Sequence, residues 1–328
     1  MAPTPTRHPV TRLGLQIPRF TFPGVADADL FEHVASLAVA AEENGFDSIW
    51  VMDHFHQIPM VGPRTEPMLE AYTLLAALGA RTRRARLGAM VTGVTYRNPA
   101  LLAKIVTTLD VVTSGRAILG LGAAWNQEEH EAYGYPFPSV RERMDRLREA
   151  LEIARAMFAG GEARFEGRYH RVAGALNVPA PVRPGGPPIL VGGSGEQRTL
   201  RLVARYGDAC NIFGDPATVV RKLEILERHC ADVGRDPADI TRTRLGTLLL
   251  RPTQEEADRA AEAIRAAWGV DEQQFRAVVV AGGPDAVAGQ VQPYLDAGLD
   301  GIIFNLVDPT PESVALAGKV LGGVLPER

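Results

Sequence analysis

The stretch Gly45-Phe46-Asp47-Ser48-Ile49-Trp50-Val51 closes one element and opens another. An amphipathic helical segment ends at Gly45, an acid follows, and a short β-branched and aromatic run comes next. Glycine suits that place because the residue after a helix usually turns left-handed, a conformation that costs Gly little. The same order returns as Gly207-Asp208 before Ala209-Cys210-Asn211-Ile212-Phe213, and as Gly298-Leu299-Asp300 before Gly301-Ile302-Ile303-Phe304. Each copy reads as a helix feeding a buried strand. Working outward, the pattern predicts strands over 13–18, 47–53, 86–94, 117–122, 189–191, 208–213, 243–250 and 301–307, with periodic helices such as 29–44, 70–81, 140–158 and 255–268 between them. A Gly/Pro-rich insertion, 160–188, separates the fourth strand from the fifth. Eight strands alternating with helices point to a closed (β/α)8 barrel of the TIM type, a single α/β domain over 1–328, since such strands are parallel and their crossovers right-handed. A doubly wound open sheet is the alternative. In the barrel reading, chemistry belongs on the loops that follow the strands.

The chain of 328 residues carries 35 Lys and Arg against 39 Asp and Glu, a formal net charge of −4. Nucleic acid and acidic membrane surfaces are therefore not the expected partners, because binders of either present a net basic face. Cys210 and Cys230 cannot build a disulfide framework, and their spacing matches no zinc pattern. Residues 1–9 lack the apolar core of a signal peptide, and no run approaches the roughly 18 apolar residues of a membrane span. A cytoplasmic setting is the expectation.

The second strand runs into Asp53-His54-Phe55-His56. Two histidines one residue apart suggest metal ligation, but the other strand ends offer Gly192-Gly193-Ser194, Asn211 and Asn305 rather than further ligands, so no metal is expected. His54 then either hydrogen-bonds a neighbouring helix or makes polar contact with a cofactor ring. After the fifth strand, Gly192-Gly193-Ser194-Gly195-Glu196-Gln197 precedes a helix. Small residues let backbone N–H groups approach a phosphate, and a helix N-terminus adds favourable partial charge. The same residues also read as a capped turn in which Ser194 and Gln197 form a capping box. The fourth strand ends in Gly120-Leu121-Gly122-Ala123-Ala124-Trp125-Asn126, which puts Trp125 where a dinucleotide fingerprint needs its third glycine. Two glycines in a strand imply that something approaches its backbone closely, here read as a ligand. Further on, Glu129-His130-Glu131-Ala132-Tyr133-Gly134 sets His130 and Tyr133 on one helical turn.

The stretch Leu87-Gly88-Ala89-Met90-Val91-Thr92-Gly93-Val94-Thr95-Tyr96-Arg97-Asn98-Pro99, followed by Ala103-Lys104, Thr108-Leu109-Asp110, Ser114-Gly115-Arg116 and Gly120-Leu121-Gly122, resembles the luciferase-like monooxygenase superfamily. Within it, the chain looks most like the coenzyme F420-dependent oxidoreductases. The resemblance implies a barrel whose deazaflavin or flavin ring lies across the strand ends, buttressed by a non-prolyl cis peptide at Met90-Val91. It implies that His54 contacts the ring and takes part in proton transfer, beside Asp53, Met90, Val91 and Gly122. Thr92 and Asn126 would hydrogen-bond the cofactor, His130 and Tyr133 would line its ribityl or phosphate side, and Gly192, Gly193 and Ser194 would hold its phosphate. Arg198, Arg201 and Arg205 read either as groups that steer an anionic cofactor tail or as an ordinary solvated helix face. One departure stands out: deazaflavin-dependent sugar-phosphate dehydrogenases carry an acid after the fourth strand where this chain has Trp125. The resemblance implies hydride transfer between coenzyme F420 and a small organic substrate, in a homodimer, with a cofactor-reducing enzyme as a further partner. The alternatives are an FMN-dependent monooxygenase served by a separate flavin reductase, and a non-enzymatic flavin- or deazaflavin-binding protein.

Overall fold

The computed structural model describes residues 10–325; the Pro- and Thr-rich stretch 1–9 lies outside the described residues. Its strands are β1 (Leu13–Ile17), β2 (Ser48–Val51), β3 (Arg86–Ala89), β4 (Thr92–Gly93), β5 (Ala117–Gly122), β6 (Glu162–Glu166), β7 (Arg171–Leu176), β8 (Ile189–Gly192), β9 (Ala209–Asn211), β10 (Thr241–Leu250), β11 (Val279–Gly282) and β12 (Gly301–Leu306). The α-helices are α1 (Leu30–Glu43), α2 (Ala71–Arg81), α3 (Pro99–Val112), α4 (Gln127–Ala132), α5 (Val140–Phe158), α6 (Thr199–Tyr206), α7 (Pro216–Val233), α8 (Gln254–Trp268), α9 (Glu272–Val278), α10 (Pro284–Asp296) and α11 (Pro311–Val324).

Eight strands close a parallel ring in the order β1, β2, β3, β5, β8, β9, β10, β12 and back to β1. All eight predicted strands are present, so the closed barrel holds and the open sheet does not. Two regions differ from the sequence expectation. The predicted strand over 86–94 is two pieces, β3 and β4, on either side of a non-prolyl cis peptide at Met90-Val91; β4 pairs with β5 and not with β2. The insertion over 160–188 contains an antiparallel hairpin, β6 with β7, bulged between Ala163 and Arg164. A short strand, β11, also lies alongside the end of β10 and follows α8 and α9. No helix of the described residues is long and apolar enough to cross a membrane.

Packing inside the ring is set by one large residue and several glycines. Trp50 is fully buried in the barrel with Met90, Ile118, Leu190, Ala209 and Ile303, and its indole N–H donates to Ser48 Oγ at 2.8 Å. A side chain at Gly14 or Gly88 would place its Cβ 2.8 Å from the Trp50 ring, so both positions must stay bare for the indole to fit. The apolar faces of the helices cover the outside of the ring in a second, larger core. Nearer the strand ends, a Cβ on Gly120 would sit 2.0 Å from the Ala89 carbonyl oxygen, while one on Gly122 or Gly192 would meet Val91 at 2.6 and 2.7 Å. The close approach to β5 inferred from its glycines thus comes first from the protein's own Ala89–Val91 segment.

Gly120→Ala is expected to lower unfolding stability by about 2 kcal/mol or more, because backbone faces backbone there and neither can yield. Denaturant unfolding measures this; an unchanged midpoint would contradict the close packing described.

Candidate active site

A cavity of about 380 Å³ opens at the C-terminal ends of the strands, where a barrel of this kind carries its chemistry. Of the residues singled out from sequence, Asp53, His54, Met90, Val91, Gly122, Gly192, Gly193 and Ser194 line it. Four others do not. The Thr92 hydroxyl is fully buried and paired with Tyr72 Oη at 2.6 Å, and the Asn126 side chain caps α4 by accepting from the Glu129 N–H. His130 is buried, with Nδ1 2.6 Å from the Asn126 carbonyl oxygen and Nε2 2.6 Å from Thr95 Oγ1. Burial holds its imidazole below the usual value, so the neutral ring donates from Nδ1 and accepts at Nε2. Tyr133 points the other way, half exposed beside Phe55 and His56. The predicted single face of His130 and Tyr133 is therefore split between core and surface.

Glu129, which sequence reasoning passes over, organises the site. Its carboxylate is fully buried and takes hydrogen bonds from four donors: His54 Nδ1 at 2.9 Å, the His56 N–H at 2.8 Å, the Tyr96 hydroxyl at 2.5 Å and the Phe55 N–H. Burial raises a carboxyl, but hydrogen bonds from His54, Tyr96 and His56 outweigh it and bring Glu129 down to about 2. An ionised carboxylate only accepts, so Nδ1 of His54 carries the hydrogen. Among the described residues Nε2 has no partner, and His54 lines the cavity. A ring held this way can take or return a proton at Nε2. His54 thus bonds the neighbouring helix α4, the first of its two sequence readings, and its ring also lines the cavity.

Asp53 is buried and bonded through Oδ2 to Arg97 at 2.8 Å and to the Gly93 N–H at 3.1 Å, while Arg97 reaches on to Glu70. Burial pushes the Asp53 carboxyl up against the opposing pull of Arg97. Its Oδ1 is buried without a partner, as is Oδ1 of Asn211, and both residues line the cavity. Buried orphan acceptors mark where a ligand donor belongs. The glycine loop after β8 adds exposed backbone: Gly193 adopts φ 105°, closed to ordinary side chains, and Gly195 and Thr199 continue the wall to α6. The capping box expected of Ser194 and Gln197 is not formed, because α6 begins only at Thr199; the Ser194 carbonyl instead accepts from Lys222 at 3.1 Å. Arg198 is tied to Asp145 and the Arg141 carbonyl, leaving Arg201 and Arg205 exposed on α6. These features fit a flat ring with N–H donors and a phosphate-bearing tail. Among the described residues no group of three or more His, Cys, Asp or Glu is placed to hold a metal.

Ala124 has φ 58°, a left-handed turn that a side chain disfavours, and it sets Trp125 on the rim with its ring edge-on to His54 at 5.5 Å. Trp125 and Phe213 are each 49% exposed.

The depressed carboxyl of Glu129 contributes stability above its ordinary 4.5, and this is lost as pH falls toward about 2. It amounts to roughly 3 kcal/mol. The stability advantage of wild type over Glu129→Gln is accordingly expected to shrink across that window; denaturant unfolding at several pH values checks it, and a constant difference would contradict it.

A family model for luciferase-like monooxygenases matches residues 11–298. The F420-dependent glucose-6-phosphate dehydrogenase of Nocardia farcinica is 32% identical over 313 residues, spanning 85% of this chain and 90% of that one. A glucose-6-phosphate dehydrogenase of the same dependence from Rhodococcus jostii is 31% identical, with 85% and 90% covered. Among solved structures, the coenzyme F420-dependent tetrahydromethanopterin reductase of Methanopyrus kandleri superposes with a TM-score of 0.79 at 18% identity, covering 96% of this chain and 99% of that one. The EDTA monooxygenase of Chelativorans gives 0.83 at 19%, covering 96% and 95%. These last two speak for the fold, which the barrel order and the cis peptide at Met90-Val91 share with the sequence expectation. With the match running over most of its length, the chain belongs to the luciferase-like monooxygenase family.

Proposed function

We propose that the protein is an oxidoreductase that exchanges a hydride between coenzyme F420 and a small organic substrate, the chain acting as one barrel domain. The observation that carries this reading is His54, held by the buried Glu129 carboxylate with its Nε2 left toward a cavity lined by unpaired acceptors. The choice of deazaflavin over FMN rests on relatives of 30–32% identity that are F420-dependent glucose-6-phosphate dehydrogenases.

When bound, the deazaflavin supplies two-electron chemistry, exchanging a hydride with a substrate carbon and leaving the accompanying proton to the protein. Asp53 Oδ1 and Asn211 Oδ1 would accept from ring N–H groups, and Met90 and Val91 would pack against the ring. Gly122 completes the wall, and Gly192, Gly193 and Ser194 with the start of α6 would hold the phosphate. His54 Nε2 is the group that holds or returns the substrate proton, and Glu129 keeps its ring in the required tautomer. Thr92, Asn126 and His130 support the wall from behind; Tyr133 belongs to the outer surface near Phe55. A homodimer, a cofactor-reducing enzyme as partner and a cytoplasmic location complete the proposal.

Titration of apoprotein with coenzyme F420 and with FMN tests the cofactor; tighter FMN binding would overturn it. His54→Ala is expected to cut kcat roughly a hundred-fold or more while cofactor affinity holds, with a modest fall in melting temperature because Glu129 loses one of its four donors. Unchanged turnover with lost thermal stability would make His54 a structural residue.

A further inference from the structure

We propose that the molecule this site acts on is an uncharged alcohol or carbonyl compound with an aromatic or branched hydrocarbon body, and not a sugar phosphate. The proposal rests on the function proposed above and concerns which substrate the same cavity admits.

Charge argues first. Among the described residues lining the cavity there is no Lys or Arg; its acidic wall is Asp53, 2% exposed. A phosphate dianion entering there would give up water without gaining a cation from the wall. Two cations bonded to lining residues are already engaged: Arg97 bridges Asp53 and Glu70, and Lys222 donates to the Ser194 carbonyl. Turning Arg97 toward a substrate would strip Asp53 of its partner inside the protein. The glycine loop offers exposed backbone suited to an anion, and the cofactor phosphate would claim it.

Shape and polarity argue next. Trp125 follows β5 and Phe213 follows β9, on either side of the loop after β8, and each leaves about half its surface bare. Leu245 and the Ala123–Ala124 methyl groups continue the apolar wall. Large bare rings at a cavity mouth are costly to expose and mark where an apolar group docks. The Trp125 ring lies edge-on to His54 at 5.5 Å, so a molecule resting on Trp125 presents its polar end to the imidazole. A polar head toward His54 and a hydrocarbon body against Trp125 and Phe213 is the arrangement these walls accept. This departs from the glucose 6-phosphate named for the relatives of 30–32% identity, a level of likeness that fixes the family without fixing the pocket.

The test is isothermal titration of deazaflavin-loaded protein with 1-phenylethanol and, separately, with glucose 6-phosphate, and the same pair of titrations on apoprotein. We expect 1-phenylethanol to bind at least ten-fold more tightly than glucose 6-phosphate in both forms. Trp125→Ala should weaken 1-phenylethanol binding about ten-fold, with melting temperature and deazaflavin affinity unchanged. Equal or tighter binding of glucose 6-phosphate, or an unaltered affinity for 1-phenylethanol in Trp125→Ala, would overturn the substrate proposal alone. Failure of the deazaflavin to load, read from its absorbance, would sink the function proposed above; the apoprotein titrations still judge the cavity.

Discussion

Glu129 is a fully buried carboxylate, and the strand-end side of the barrel is arranged around satisfying it. An uncompensated charge in that position would be among the most costly features a core can hold. Four hydrogen bonds remove the penalty, and they come from separate parts of the chain: His54, Phe55 and His56 after β2, and Tyr96 after β4. Two loops are thereby pinned to α4, and the His54 ring is fixed in orientation and tautomer by the same contacts. Tyr96 is held protonated, since burial and the Glu129 charge both push its phenol up. A residue with no surface of its own in the cavity thus decides what the cavity presents.

The second constraint is steric. Ala89 to Val91 run so close to β5 and β8 that Gly120, Gly122 and Gly192 must lack side chains. That leaves Met90 and Val91 forming one wall of the cavity, with Val91 against Gly192 at the start of the glycine loop. Below them Trp50 plugs the barrel, made possible by Gly14 and Gly88. The barrel interior beneath is apolar, while Asp53, His54 and Asn211 line the cavity. Close-packed walls of this kind keep such groups in place.

Much of this is legible in the sequence. The glycine-acid-strand order at Gly45, Gly207 and Gly298 marks strand starts because helix ends and buried strands have distinct local chemistry. The stretch 86–94 reads as one strand because its run of small and apolar residues does not show the break after Ala89; only the family resemblance points to the cis peptide at Met90-Val91. The site is readable where a residue follows a strand directly, as at Asp53, His54 and Gly192 to Ser194. Glu129 is not, because it sits in Gln127-Glu128-Glu129-His130-Glu131, a run that reads as a solvated helix. The one local signal is Asn126, whose cap phases α4 and puts Glu129 on its first turn beside buried His130. Thr92 misleads for a similar reason, since its partner Tyr72 is supplied by α2, far along the chain. Long-range pairing of polar groups leaves no periodic trace.

Nitrogen-15 NMR of histidine-labelled protein shows whether the buried Glu129 carboxylate fixes His54 with its hydrogen on Nδ1 and its lone pair on Nε2. The His54 signals are assigned by their loss in His54→Ala. A protonated, pyrrole-type Nδ1 and a pyridine-type Nε2 are expected for the neutral ring, with that preference lost in Glu129→Gln. A neutral ring carrying its hydrogen on Nε2, or a tautomer indifferent to Glu129, would contradict it.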